Sequence, residues 1–360
     1  MKKLTIAIAC GGTGGHTFPG LATGRALRAR GHKVIVLQAG RAIEAKTLAG
    51  WDGPTFKTGA RSPLPKHPIA TLRSVIRTWG WFRRERPDVV LAMGSYASFA
   101  PGWVAHLRHV PLVLHEANAV PGKAVALLSR WASAVAVSFP GTKLEPRKCR
   151  RIVHTGLPVR TELLDQAVPV GFEEKSDNGF TVFVTGGSQG AHAVNEFASK
   201  VLSGLSRSGR IKGLRIIHQT GAADEKIVRK RYADAGADAA VFDFLKEMGG
   251  AMKAADFAIA RSGAATCAEF CLFGLPSLLI PLPIAVRDHQ YLNAKYLSDA
   301  GAAMVVRQDK LSEESFGRFL VELAGNREKL RQMRECSKSL AVADAAERLA
   351  DLVERQANLK

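Results

Sequence analysis

The sequence predicts an α/β protein of two doubly wound domains, each a parallel sheet covered by helices, with a ligand cleft between them. Three observations predict it. Short apolar runs alternate with helical stretches along the chain, which is the pattern of a parallel sheet with helices on both faces. The run Leu4 to Ala9, the turn Gly11-Gly12-Thr13-Gly14-Gly15-His16 and a helix from Leu21 to Arg30 return as a device in Phe180 to Val184, Gly186-Gly187-Ser188-Gln189-Gly190 and a helix from about Ala193. Between the two copies, Gly156-Leu157-Pro158-Val159-Arg160 and the polar stretch Gly171 to Gly179 mark a domain junction. The boundaries that follow are 1–160 and 161–336, with a C-terminal helix over about 337–360 packing back on the first domain. A chain of 360 residues is long enough for two cores.

The first strand is the apolar run before the glycine turn. The second, Lys33 to Leu37, follows the helix that closes at Gly31. A basic aromatic helix lies between Thr71 and Arg86, then Asp88 to Met93 runs into Gly94-Ser95-Tyr96, and Leu112 to Leu114 runs into His115-Glu116-Ala117-Asn118. The second domain continues with Leu214 to His218, Val241 to Leu245, Phe257 to Ala260 and Ser277 to Ile280. Arg261-Ser262-Gly263 opens another helix, and a proline-rich loop leads to Arg287-Asp288-His289-Gln290. In such sheets ligands sit beyond the carboxyl ends of the strands. The polar residues just after each strand are therefore the candidates.

Composition narrows the partner. Lys and Arg outnumber Asp and Glu by 51 to 32, a formal net charge of +19, so the partner is anionic: nucleic acid, membrane surface or a phosphorylated substrate. No RNA-binding signature or zinc-finger spacing is present, and no nucleic acid is expected. The five cysteines are unpatterned, which favours a reducing compartment. Cys267 and Cys271 could share a metal-facing side of a helix, but no further ligand completes the set and packing is the simpler reading. The start Met1-Lys2-Lys3 before the first apolar run looks like a secretion signal, but cleavage would destroy the first strand, so it is read as part of a cytosolic fold. The longest apolar run elsewhere, Leu275 to Val286, carries three prolines and is too short to span a bilayer.

The first glycine turn is neither a dinucleotide fingerprint nor a Walker loop. Thr17 stands where the third glycine of G-x-G-x-x-G would be, and no lysine follows the glycines. What remains is a glycine-rich strand-to-helix turn suited to phosphate or diphosphate, holding one histidine, His16. Gly263 opens a second helix whose first amides suit phosphate. Glu269, one and a half turns in, either accepts both hydroxyls of a ribose or complements the helix dipole. On the basic helix, Leu72, Val75, Ile76 and Trp79 share a face, with Trp81 and Phe82 nearby and Arg73, Arg77, Arg83 and Arg84 around them. That face either packs on the sheet or forms an interfacial membrane patch, apolar groups in the headgroup zone and arginines on anionic lipid.

Seven stretches in order then resemble one family: Gly11 to His16 with Pro19-Gly20, Gly94 to Ser98, His115 to Asn118, Gly156 to Arg160, Gly186 to Ala191, Ser262 to Glu269, and Asp288-His289-Gln290 with Asn293-Ala294. The chain resembles the MurG family, bacterial transferases that add N-acetylglucosamine from UDP-N-acetylglucosamine to undecaprenyl-linked lipid I and so make lipid II for peptidoglycan, cell shape and division. The resemblance implies a GT-B architecture, an inverting hexosyltransferase reaction with no metal or cofactor, and a peripheral place on the anionic inner leaflet of the cytoplasmic membrane. No Asp-x-Asp triplet is present.

By motif, the resemblance implies Ser188 with Gln189, and the amides of Ala264, Ala265 and Thr266 with Cys267 and Ala268 beside them, for the donor diphosphate. It implies Leu245 for the uracil, Glu269 for the ribose, His289 and Gln290 for the sugar hydroxyls, and Arg160 as a further donor contact. Thr13, Gly14, Gly15, His16, Tyr96 and Asn118 face the sugar and the acceptor diphosphate. His16 is the candidate base, because neutral imidazole titrates near working pH, and Glu116 is the rival. Ser95, Ala117 and His289 stand where the family usually has glycine, glutamine and, in some members, glutamine.

Overall fold

The computed structural model describes residues 2–12, 14–41, 44, 47–48, 50–61, 66–142, 144, 151–169, 171–172, 179–187 and 189–359. Thr13 and Ser188, which the resemblance places at the ligands, lie outside the described residues, as does Cys149. Two compact units make up the chain: Met1–Arg160 with Val342–Lys360, and Thr161–Ala341.

In the first unit, β1 (Thr5–Ala9), α1 (Gly14–Ala29), β2 (Lys33–Gln38), β3 (Thr55–Lys57), α2 (Pro68–Glu85), β4 (Val89–Ala92), α3 (Phe99–Leu107), β5 (Leu112–Glu116), α4 (Lys123–Leu128), β6 (Ala134–Val137) and β7 (Ile152–His154) follow in order. The sheet is parallel, in the order β3-β2-β1-β4-β5-β6-β7. Its central strands are buried on both faces, as a parallel sheet between helices requires. One face packs Ile6, Ile8, Val36 and Leu91 against Leu21 and Leu27. The alternate residues Ala7, Leu37, Val90 and Leu114 pack on Trp81, Phe82, Val104 and Leu128.

Two expectations need correction here. The first helix begins at Gly14, not Leu21, so it takes in the second half of the glycine turn and Pro19. Burial of Thr17, Pro19 and Gly20, the last against Cys10 and Met93, overrides the poor helix propensity of those residues. The basic helix also buries the opposite face from the one its apolar count favours. Ser74, Thr78, Trp81 and Phe82 are inside, while Leu72 and Ile76 are each 61% exposed. Trp81 and Phe82 therefore do not belong to a surface patch. Small side chains at Ser74 and Thr78 let the helix approach the molecule closely, and Thr78 Oγ1 donates to the Ser74 carbonyl at 2.7 Å, which satisfies the buried hydroxyl.

In the second unit, β8 (Phe180–Thr185), α5 (His192–Ser208), β9 (Leu214–Gln219), α6 (Glu225–Asp234), β10 (Asp238–Phe242), α7 (Met248–Ala254), β11 (Phe257–Ala260), α8 (Ala264–Phe273), β12 (Ser277–Leu279), α9 (His289–Asp299), β13 (Ala303–Val305), α10 (Glu313–Gly325) and α11 (Arg327–Ser339) form a parallel sheet ordered β10-β9-β8-β11-β12-β13 with its helices. Val182, Val184, Ile216 and Ile259 pack on Val194, Leu202, Phe316 and Leu320.

The predicted terminal helix is interrupted after Ser339 and resumes as α12 (Ala345–Asn358). Leu349, Val353 and Ala357 of α12 complete the core of the first unit. Its outer edge is held by Arg30 on Asp351 and Glu354 at 2.7 and 2.9 Å.

Candidate functional site

Both sheets reverse their strand order beside their first strand, β1 next to β4 and β8 next to β11. That is where a doubly wound sheet opens a crevice.

In the first unit the loops after β1, β4 and β5 meet. Gly12 (φ +92) and Gly94 (φ +93) take backbone conformations that favour glycine. A Cβ at Gly94 would stand 3.0 Å from the His115 carbonyl and 3.9 Å from His16 Cε1, and one at Gly12 would meet the Tyr96 ring at 2.9 Å. The turn is thus packed between Tyr96 and the neighbouring loops. His16 lies in the first turn of α1, and its Nδ1 is 2.8 Å from the Met93 carbonyl oxygen. A carbonyl only accepts, so Nδ1 donates and Nε2 of the neutral ring bears the lone pair.

Glu116 is buried at the end of β5. Its Oε1 accepts from the Asn118 amide at 2.9 Å and its Oε2 from the Gly122 amide at 2.8 Å. Burial raises its pKa while those amides pull it down. The carboxylate holds the 117–122 loop in place with both oxygens. Ser95 accepts from the Ala97 amide at 3.1 Å and caps the short turn that carries Tyr96. Arg160 lies 4.5 Å over the Phe18 ring of α1.

Sequence reasoning missed Glu44. It is buried, and its carboxylate accepts from the Gly12 amide at 2.8 Å, the Gly40 amide at 2.6 Å and the Arg41 amide at 3.0 Å. It ties the glycine turn to the end of β2.

In the second unit, Gly187 (φ +89) and Gly190 (φ +75) shape the loop after β8. A Cβ at Gly190 would overlap the Thr220 carbonyl oxygen at 1.8 Å, so only glycine fits. Gln189 is exposed on that loop. Behind it runs a polar chain that the sequence did not signal, buried except at His192. His192 Nδ1 is 2.9 Å from Asp224, Asn195 donates to Asp224 at 2.7 Å, Asn195 Oδ1 is 3.2 Å from His218 Nε2, and His218 Nδ1 is 2.9 Å from the Tyr232 hydroxyl.

The helix after β11 has Gly263 as its N-cap, and its first intrahelical bond runs from Cys267 N to Gly263 O. The amides of Ala264, Ala265 and Thr266 are therefore the orphan donors of that helix. Cys267 is removed from the ligand set: its amide is used by Gly263, and its thiol is buried with its pKa pushed well up by burial. Ala268 and Glu269 are half-buried on the same helix. Leu245 is buried, 3% exposed, while Phe244 beside it is 57% exposed.

Gln290 Oε1 accepts from the Leu282 amide at 3.0 Å, and His289 Nδ1 donates to the Val286 carbonyl at 2.9 Å. Arg287 and Asp288 just before them both have φ +55, a left-handed conformation that costs a non-glycine residue about 1–3 kcal/mol and clusters at functional loops. Arg307 grips Asp288 at 2.5 Å and lies 4.0 Å over the Tyr291 ring. Among the described residues no group of three His, Cys, Asp or Glu could hold a metal ion.

Two buried histidines set an acid limit on the fold. Burial pushes His115 down to about 4 and His218 to about 3, from an ordinary value of 6.5. Below pH 6.5 the unfolded chain binds protons that the folded chain refuses. Stability is therefore whole above that pH and falls as pH drops toward 4, by up to about 1.4 kcal/mol per unit for each group. Urea midpoints between pH 7 and 4 would check this, and a midpoint indifferent to pH across that range would contradict it.

Comparison with known proteins agrees across the whole chain. Residues 6–137 match the glycosyltransferase family 28 N-terminal domain, and residues 181–349 match the family 28 C-terminal domain. A Halorhodospira halophila protein named UDP-N-acetylglucosamine–N-acetylmuramyl-(pentapeptide) pyrophosphoryl-undecaprenol N-acetylglucosamine transferase is 38% identical over 99% of this chain and all of its own length. A Coxiella burnetii protein of the same name is 34% identical over 96% of each. The crystal structure of Acinetobacter baumannii MurG superimposes with a TM-score of 0.81 at 30% identity, covering 98% of this chain and all of that one. The UDP-GlcNAc 2-epimerase of Neisseria meningitidis, at 13% identity and a TM-score of 0.70 over 98% and 99% of the two chains, shares the fold alone.

Proposed function

The chain belongs to the MurG family, within glycosyltransferase family 28, and from that membership we infer that it moves N-acetylglucosamine from UDP-N-acetylglucosamine to undecaprenyl-diphospho-N-acetylmuramoyl-pentapeptide (lipid I), making lipid II. The observation that carries this is a full-length likeness to transferases of that name, at 38% identity over 99% of the chain. The two Rossmann-like units are those of a GT-B enzyme.

The residue roles follow from the chemistry. The C4 hydroxyl of the muramoyl sugar attacks C1 of the donor sugar, the bond from C1 to the diphosphate oxygen breaks, and UDP leaves with the electron pair. His16 takes the hydroxyl proton on Nε2. Its Nδ1 bond to Met93 holds the competent tautomer. Glu116 is a positioning residue for the Asn118 loop. The amides of Ala264, Ala265 and Thr266 hold the departing diphosphate, and Glu269 accepts the ribose hydroxyls. Gln290 and His289, on their strained loop, address the donor sugar. Arg160, Gln189 and Leu245 complete the donor contacts, with Gly14, Gly15, Tyr96 and Asn118 on the acceptor side.

The test is transfer of labelled N-acetylglucosamine to a lipid I analogue in EDTA, with UDP-N-acetylglucosamine varied. Transfer persists in EDTA, and Glu269→Ala raises the donor KM about tenfold or more with a smaller change in kcat, as loss of a charge-assisted contact implies. No transfer by the wild type, with donor still bound, would move the function to another acceptor.

The enzyme sits peripherally on the anionic inner leaflet. Among the described residues no helix is long and apolar enough to cross a membrane. Ile69, Leu72, Ile76 and Trp79 form an exposed apolar stripe along α2, with Val75 half-buried beside it and Arg73, Arg77, Arg83 and Arg84 exposed on the same helix. Leu72→Asp with Ile76→Asp should abolish sedimentation with phosphatidylglycerol vesicles and leave the thermal midpoint unchanged. Undiminished vesicle binding would exclude the stripe.

A further inference from the structure

A cavity of about 830 Å³ lies in the first unit between the chain after β2, the chain after β3 and the start of α2. Among the described residues its charged lining is wholly basic: Arg41, Arg61, Lys66, Arg73 and Arg77, with His67 beside them. The first turn of α2 forms part of the wall. Its N-cap His67 gives no side-chain cap, Pro68 has no amide proton, and the first helical bond runs from Thr71 N to His67 O. The amides of Ile69 and Ala70 therefore add the positive end of an 18-residue helix to the five cations. Such a lining takes a strongly charged oxyanion.

What adjoins the cavity says which anion. Arg41 of its lining sits beside Tyr96, and its amide shares the Glu44 carboxylate with Gly12, which ties the cavity wall to the glycine turn that carries His16. The wall also includes Ile69 and Ile76, 68% and 61% exposed, which belong to the apolar stripe of α2. An acceptor of the kind inferred above has its groups in the same order: a sugar, a diphosphate on its C1, then a hydrocarbon chain. With the sugar at His16 and the hydrocarbon at the stripe, the diphosphate falls in the basic cavity. We propose that the Arg41, Arg61, Lys66, Arg73 and Arg77 cavity is the seat of the acceptor's polyprenyl diphosphate, leaving the glycine turn to the sugar. Four arginine forks suit two phosphates, where a lone lysine supplies only a point charge. The proposal rests on the transferase reading.

The experiment compares Arg61→Gln with Lys66→Gln, as a double variant, against the wild type. Neither residue is on the apolar stripe. Three acceptors are used: lipid I in phosphatidylglycerol vesicles, a soluble lipid I analogue with a geranyl chain, and the same muramoyl pentapeptide as a methyl glycoside without phosphate. The double variant should raise the KM of the soluble diphosphate acceptor about tenfold or more, with kcat and donor KM held. It should leave the already poor use of the methyl glycoside unchanged. Leu72→Asp, at a stripe residue that does not line the cavity, should do the reverse, losing vesicle binding while raising the KM of the soluble acceptor far less than the double variant does. Unchanged UDP binding and thermal midpoint establish that each variant is folded. An unaltered KM for the soluble diphosphate acceptor overturns the proposal. So does a loss confined to vesicle-borne acceptor and matched by lost vesicle binding, which would make the cavity a phospholipid headgroup seat. Wild-type protein that transfers to no acceptor overturns the transferase reading first and this proposal with it.

Discussion

His16→Ala is expected to lower kcat by about 10²–10⁴, the usual contribution of a positioned general base, with the donor KM little changed. The Nδ1 hydrogen bond to the Met93 carbonyl is what separates His16 from Glu116 as a base. It leaves the second ring nitrogen as the proton acceptor, whereas both Glu116 oxygens already serve backbone amides. Added imidazole should restore part of the rate in His16→Ala, because the cavity left by the ring admits a base of the same chemistry. Glu116→Gln should behave differently. One oxygen becomes an NH₂ facing an amide donor, so the loop loosens and the acceptor KM and thermal midpoint suffer together. Full activity in His16→Ala, or a Glu116→Gln enzyme that loses kcat with its stability intact, would reverse the two roles.

The parts of this site that were legible in the sequence are those written by local rules. Apolar runs ending in glycine turns located the carboxyl ends of β1 and β8, and Gly263 announced the start of α8, because strand burial and helix starts depend on neighbours in the chain. What was hidden depends on neighbours in space. Glu44 follows β2 by several residues and looks like a surface acid, and only the β1–β2 pairing brings it under Gly12. Asn195, His218, Asp224 and Tyr232 lie on four successive segments and become one hydrogen-bonded chain when β8 and β9 pair. Of the two readings of the apolar face of α2, packing on the sheet fails, and Trp81 and Phe82 leave the patch, for a related reason. Counting apolar residues favours Leu72, Ile76 and Trp79, yet close packing selects the small hydroxyls Ser74 and Thr78 along with Trp81 and Phe82. The resemblance assigned Cys267 and Leu245 by position, and both are buried, which position alone does not report.

Glu44→Ala should be the most damaging change outside His16, the proposed base. It strands three amide donors, those of Gly12, Gly40 and Arg41, in a buried corner. A buried donor without a partner costs about 1–3 kcal/mol, and water entering the space relieves part of it, so a loss of about 3 kcal/mol is expected. For a unit of this size that is a fall of roughly 6–12 °C in the thermal midpoint. Function should fail selectively. The glycine turn would lose its anchor, so kcat and the acceptor KM should worsen, while the donor KM should hold. Gly11→Ala gives an independent approach to the same contact, because its new Cβ would stand 2.6 Å from Glu44 Oε1 and force the carboxylate away from Gly12. The two variants should share one phenotype, measured as paired thermal midpoints and acceptor kinetics. A Glu44→Ala protein that melts with the wild type and keeps its acceptor KM would mean that the glycine turn holds its shape from Tyr96 and the neighbouring loops alone.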